Sequence, residues 1–166
     1  MANIRQDNKL EKYYTPSDLI NFILDESEKW IDINNDIDEF LEPASGAGAM
    51  IDVLKERYNK PVEAYDIFNE TLREDIIQTD FLKLKIEYKP RRFTLANPPF
   101  NKGTKFLWKC MEISDYCCFI LSASSIANID WDKVQETFEV NKIQIKKKQQ
   151  FDRCNTAISI LYLKRK

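Results

Sequence analysis

The chain has 166 residues, 43% of them apolar and 31% charged, with a net charge of −2. That size and balance describe one folded domain and exclude both two full domains and a disordered tail. The sequence contains no histidine, which excludes Ser-His-Asp and Cys-His nucleophile schemes and His-ligated zinc sites.

No apolar run approaches the roughly 18 residues of a membrane span, and the N-terminus lacks the apolar core of a signal peptide. A cytoplasmic protein without membrane contact is expected. Thr15-Pro16-Ser17-Asp18 reads as a helix start, with Thr15 as the cap, Pro16 at the first helical position and Asp18 at the third. Leu19, Phe22, Ile23 and Trp30 follow at helical spacing. A strand over 37–41 ends at Glu42-Pro43, and Gly46-Ala47-Gly48 leads into a helix carrying Met50, Ile51, Val53 and Leu54. A second strand is expected over 62–67, a short helix over 69–75 and a weak third strand over 76–79. Next comes a buried strand over 93–96, stopped by Asn97-Pro98-Pro99. A helix over 106–113, a strand over 116–121 and a helix over 131–138 complete the alternation. The last strands, 140–146 and 157–163, are joined by a short connection and should form an antiparallel hairpin.

Cys117 and Cys118 are neighbours within a strand, so their side chains should take opposite faces. With Cys110 and Cys154 they read as small buried hydrophobes of a reducing compartment, a metal site or disulfide being the alternative. Arg91 and Arg92 open the fourth strand and read as surface. Residues 122–125 read as a small polar loop facing a substrate, or as a helix cap at Ser124 or Ser125.

Helices and strands in this order predict an α/β fold. Its sheet is mostly parallel and seven-stranded, with helices on both faces and a C-terminal antiparallel hairpin. Ligands of such sheets bind beyond the carboxyl ends of the strands. At the first of those ends, Gly46 and Gly48 allow a ligand to press on backbone, although a tight turn alone would also explain them. Glu42 and the lack of any basic residue in that loop disfavour a pyrophosphate and suit a cationic or neutral ligand. Asp66 follows the glycines by about 20 residues, placed to accept from ribose hydroxyls. Asp80-Phe81 pairs a carboxylate with a ring, which suits an amino-bearing base, although an Asp there also commonly starts a turn. Asn97-Pro98-Pro99-Phe100 is the most specific signal. Its prolines stiffen the turn and offer no N–H, so the Asn97 side-chain oxygen and the Pro98 carbonyl present two acceptors. Phe100 adds a flat apolar surface, completing a receptor for a planar group that bears an NH₂.

Taken in order, Tyr13-Tyr14-Thr15-Pro16, residues 42–48, Asp66, Asp80-Phe81 and Asn97-Pro98-Pro99-Phe100 resemble the S-adenosylmethionine-dependent adenine-N6 DNA methyltransferases. The order is that of the gamma group, in which the Tyr-Thr-Pro segment precedes the glycine motif. The resemblance runs over about residues 13–165 and includes Asn101-Lys102-Gly103. It implies a Rossmann-like class I methyltransferase fold, S-adenosyl-L-methionine as cofactor, and methyl transfer to adenine N6 in DNA. It further implies that Thr15 and Pro16 contact the cofactor's methionine, and that Glu42, Ala44, Gly46 and Gly48 line its methionine and ribose. Asp66 would bind the ribose, Asp80 the adenine amino group, and Phe81 would lie beside that ring. Asn97 and Pro98 would accept from the target amine, Pro99 would stiffen the turn, and Phe100 would stack on the target base. A duplex target would have to be flipped out.

Such enzymes usually carry a recognition domain after the catalytic one, whereas this sequence ends at Lys166 directly after the last strand. A single domain over 1–166 is therefore expected, with specificity supplied by short loops or by a specificity or activator subunit. Residues 1–82 hold 8 basic and 19 acidic residues, net −11, and residues 83–166 hold 17 and 8, net +9. Lys146, Lys147, Lys148 and Arg153 are accordingly candidate phosphate contacts, although a solvated hairpin turn would look the same. Other readings of the motif set are an RNA adenine-N6 methyltransferase of the ribosomal type and a retired regulatory subunit. A protein glutamine-N5 methyltransferase fits less well, because those favour Tyr where Phe100 stands.

Overall fold

A computed structural model describes residues 15–146 and 157–166; Lys147, Lys148, Arg153 and Cys154 lie outside the described residues, as do Tyr13 and Tyr14, and Lys146 enters only as the end of a strand. Helix α1 (Ser17–Ser27) and the single turn α2 (Ile33–Asp36) lead into β1 (Glu39–Glu42). Then come α3 (Ala49–Arg57), β2 (Val62–Asp66), β3 (Ile77–Gln78) and β4 (Arg92–Ala96). Helix α4 (Gly103–Ile113), β5 (Tyr116–Ser122), α5 (Ala123–Ala127) and α6 (Trp131–Thr137) follow. Strands β6 (Phe138–Lys146) and β7 (Ile158–Arg165) close the chain.

The seven strands form one sheet in the order β3-β2-β1-β4-β5-β7-β6. Strands β1 to β5 pair in parallel, and β7 runs antiparallel to both β5 and β6. The expected hairpin is therefore present, but β7 inserts between β5 and β6. The order reverses between β1 and β4, and such a switch point opens a crevice at the strands' carboxyl ends.

Period-two alternation feeds two cores. On one face, Leu19, Ile20, Ile23 and Leu24 of α1 and Leu54 of α3 pack on Phe40, Phe93, Cys118 and Ile120. On the other, Leu107 and Met111 of α4 and Val134 of α6 pack on Leu41, Cys117, Phe119 and Leu161. Cys117 and Cys118 thus take opposite faces, and with Cys110 they are free thiols that burial pushes up in pKa. Lys142 of β6 reaches Glu26 of α1 at 2.7 Å, and Lys142 and Lys29 together hold that carboxyl down at about 2.

Three expectations change. Arg92 is not on the surface but 1% exposed. It faces Glu39, its register partner on β1, with Nε 2.7 Å from the carboxylate, and donates to the carbonyls of Glu87 and Ile113. A guanidinium tolerates burial when paired and hydrogen-bonded in this way. The helix expected over 69–75 is replaced by a turn. Asn69 accepts from the Arg73 N–H and donates to the carbonyls of Arg73 and Ile76. Those bonds compete with a helical ladder, and Leu72 sits at φ 51°. Finally, residues 123–127 are helical, and the cap is Ser122, whose hydroxyl accepts from the Ser125 N–H at 3.2 Å.

Candidate active site

The carboxyl end of β1 delivers Glu42 into the crevice, and the chain then turns through the glycines. Gly46 (φ 57°) and Gly48 (φ 90°) adopt left-handed backbone that other residues rarely enter. The Ser45 N–H donates to the Tyr65 carbonyl at 2.8 Å, which ties the turn to β2. Arg73 braces it from behind. Its guanidinium is held by Asp52 and Asp75 and lies so close to Gly48 that a Cβ there would stand 2.4 Å from Nη1.

Asp66, the last residue of β2, is 2% exposed. One carboxylate oxygen accepts from the Gly46 N–H at 2.7 Å and the other from the Phe68 N–H at 2.8 Å. Asp66 therefore shapes the glycine turn as well as facing the cleft. Asp66→Ala should weaken cofactor binding by about 1–3 kcal/mol in calorimetric titration. It should also lower the melting temperature, because two N–H groups lose their acceptor.

Asp80 caps the short 3₁₀ turn Phe81–Lys83 by accepting from the Leu82 N–H. Phe81 is buried between Tyr65 and Phe106, stacking on the latter at 5.8 Å and 8°. Lys109 lies over the same ring and donates to the carbonyls of Phe81 and Leu84, which fixes this wall of the cleft.

Beyond β4, Asn97 is half-buried, and its Nδ2 donates to Thr15 Oγ1 at 2.8 Å. Thr15 does not cap α1; Pro16 occupies the cap position, and among the described residues no side chain bonds the helix end. Phe100 packs against the core under α1, and its carbonyl accepts from Ser125 Oγ at 3.3 Å.

One cleft gathers these ends. Thr15, Glu42, Ala44, Gly46, Asp66, Asp80, Phe81, Asn97 and Pro99 all line it. It is open to solvent and lies at the carboxyl ends of the parallel strands. Four of the residues expected in the site are not in its lining. Pro16 is exposed at the start of α1, Gly48 faces Arg73, Pro98 is buried, and Phe100 lies outside the cleft wall. Met50, Ile67, Asn101, Lys102 and Phe106 add lining that the sequence reading missed. Ile67 follows Asp66 directly, and Asn101 and Lys102 belong to the Asn101-Lys102-Gly103 segment of the resemblance; those were the available signals.

Glu42 is the chemically distinctive group. It is 1% exposed, and its Oε2 is buried without a hydrogen-bond partner among the described residues. Burial, reinforced by nearby Asp66, pushes its carboxyl well above the usual range. A buried orphan acceptor of this kind fits a cationic ligand group. With Asp66 between Glu42 and the Asp80–Phe81 wall, this set of acceptors suits a molecule with an ammonium end, a hydroxylated sugar and an amino-bearing base. That is the chemistry of S-adenosylmethionine.

No family model matches the chain, and no curated protein matches its sequence. Solved structures do match. A protein from Pyrococcus horikoshii assigned as an RNA methyltransferase superposes with a TM-score of 0.74 at 18% identity, over 94% of this chain and 88% of that one. The 23S rRNA methyltransferase ErmE gives 0.71 at 16%, over 93% and 70%. A modification subunit of a type I restriction enzyme from Vibrio vulnificus, so assigned, gives 0.72 at 13%, over 93% and 44%. The chain thus has the Rossmann-like class I methyltransferase fold.

Proposed function

We propose that this class I methyltransferase fold is a working S-adenosylmethionine-dependent enzyme that methylates the N6 amine of adenine in DNA. The observation that carries this reading is that Asn97 and Pro99 of the turn after β4 line the same cleft as Glu42, Asp66 and Asp80. A receptor for an amine and a receptor for the cofactor then share one space.

Bound cofactor supplies an electrophilic methyl on a sulfonium, whose departure as a neutral thioether needs no general acid. The protein's own work is binding and alignment. Glu42 would hold the ammonium, Asp66 the ribose hydroxyls and Asp80 the adenine amino group. Asn97 Oδ1 would accept a hydrogen of the target amine, whereas Pro98, expected to supply a second acceptor, is buried and not part of the cleft lining. An adenine N6 lone pair is delocalised into the ring, and an acceptor on its N–H favours a pyramidal nitrogen that directs it at the methyl. Alignment of this kind supplies much of a rate enhancement. The proton leaves to solvent afterwards, so a sequence without histidine is sufficient.

RNA is the second reading, favoured by the similarity of the chain to two proteins named as RNA methyltransferases. A specificity or activator subunit belongs to either reading. The test is transfer of labelled methyl from S-adenosylmethionine to single- and double-stranded DNA and to RNA, followed by digestion to nucleosides. Label in N6-methyldeoxyadenosine is the expected result. Label in N6-methyladenosine alone selects RNA, and label only in methylcytosine or in protein overturns the adenine assignment.

A further inference from the structure

The cleft lining is acidic, with Glu42, Asp66 and Asp80, and Lys102 is the one cation among its described residues. Lys102 closes the single turn that follows Pro99 and leads directly into α4. Lys105 stands three residues on, so the two side chains are neighbours on the helix surface. Both are exposed, and among the described residues neither ammonium has an ion pair or a hydrogen-bond partner. Asp80 of the same lining faces Lys83 instead, at 3.9 Å. Other lysines are engaged: Lys29 and Lys142 by Glu26, Lys55 by Asp75, Lys89 by Glu39. An exposed lysine is ordinary in itself. What distinguishes this pair is its place at the mouth of a cleft.

Phe106, one turn after Lys102, lines the cleft and stacks on Phe81 beside Asp80. The two lysines therefore belong to the Phe81–Phe106 wall and not to the β1 loop that carries Glu42. The cofactor's carboxylate shares a carbon with its ammonium, so it follows the ammonium to Glu42 and leaves these cations free. A nucleotide brings a different anion. Its base must enter a cleft whose carboxylates repel phosphate, so the phosphodiester stays at the rim. Fixed cations on one side of the mouth offset that repulsion and set the side from which the strand arrives.

We propose that Lys102 and Lys105 form a phosphodiester seat, holding the nucleic-acid backbone beside the target nucleotide while its base enters the cleft toward Asn97. The consequence for methylation rests on the methyl-transfer reading; the binding of phosphodiester does not.

The test uses the full chain and two fluorescent probes, a single-stranded DNA and a single-stranded RNA oligonucleotide of the same adenine-containing sequence. Anisotropy over a salt series gives the slope of log Kd against log salt. Each phosphate contact adds about 0.7 to that slope on a single strand, so Lys102→Gln combined with Lys105→Gln should lower it by about 1.4. Affinity at low salt should fall about tenfold on DNA and RNA alike. The cofactor Kd, read by calorimetry, should not change. A control removes the same charge at the opposite end of the sheet. There Lys89 reaches Glu39 at the start of β1, and Lys164 pairs in register with Tyr116 at the start of β5. Lys89→Gln combined with Lys164→Gln should keep the parent slope.

An unchanged slope without Lys102 and Lys105, or an equal drop in the control, overturns the seat. So does failure of the parent protein to bind either oligonucleotide. A weakened cofactor Kd with an unchanged slope overturns it as well and assigns the lysines to the cofactor's carboxylate. Should the slope fall as expected while the parent transfers methyl to neither nucleic acid, the methyl-transfer reading fails and the seat stands. Transfer by the parent with an unchanged slope does the reverse.

Discussion

Asn97→Ala is expected to lower methyl transfer by about 10²–10³-fold or more while leaving cofactor affinity within a few-fold; the magnitude is that of losing one preorganised polar group from a reaction centre. The reason lies in where the side chain sits. Asn97 follows β4 directly, and the prolines after it stiffen its backbone. Alanine keeps that backbone and deletes both the acceptor and the bond to Thr15. Nothing at the Glu42 or Asp66 end of the cleft changes, so the cofactor should still bind. Single-turnover transfer on the nucleic acid found active, with calorimetry for the cofactor, measures both halves. A variant that keeps its rate would remove Asn97 from the catalytic assignment. One that loses cofactor binding in parallel would make it a cofactor ligand.

The second large effect concerns Glu42. Its carboxyl is pushed above the usual range by burial, with Asp66 nearby adding to the shift. The sign follows from which form the fold prefers. The folded, ligand-free protein favours protonated Glu42, so stability is highest at low pH for this group. It falls as pH rises above the ordinary glutamate value of about 4.5, where the unfolded chain ionises first. Glu42→Gln should therefore raise the melting temperature of the free protein at neutral pH and flatten its pH dependence.

Binding an ammonium reverses the preference, because an adjacent cation favours the carboxylate. Cofactor binding should then release a proton, and affinity should rise with pH between the bound and free pKa values. Calorimetry in buffers of different ionisation enthalpy reads that proton directly. Glu42→Gln should abolish the release and weaken binding by about 2–5 kcal/mol, the cost of leaving one member of a buried charge pair alone. If proton release is undiminished in Glu42→Gln, the ammonium is not seated against this residue.

Both predictions begin from residues legible without coordinates, and there is a physical reason for that. Gly46 and Gly48 mark left-handed backbone, and two consecutive prolines end a strand. Apolar runs with period two mark the strands of both cores. These are local constraints, written in a few adjacent residues. They suffice for the strand order along the chain, the two-faced sheet, the antiparallel end and the segments after the strands that carry Glu42, Asp66, Asp80 and Asn97.

What failed to be legible was set by partners far along the chain. Arg92 looked like surface because Arg usually is; its burial depends on Glu39 across the β1–β4 ladder, 53 residues away. The segment 69–75 has a helical composition, yet Asn69 turns its bonds onto Arg73 and Ile76, and Arg73 is drawn to Asp52 beneath the glycine turn. Thr15 has the local chemistry of a helix cap and instead meets Asn97. Likewise Asp66 reads as a ribose ligand, while its carboxylate also supports Gly46.

The sequence by itself therefore determined the fold class, the strand ends and the chemical type of each group presented there, since those depend on short-range sterics and periodicity. Only the tertiary structure decided which of those groups share a cleft, that Glu42 Oε2 is buried without a partner among the described residues, and that Thr15 meets Asn97. Those outcomes are energies of contact between distant segments, and no local pattern encodes them.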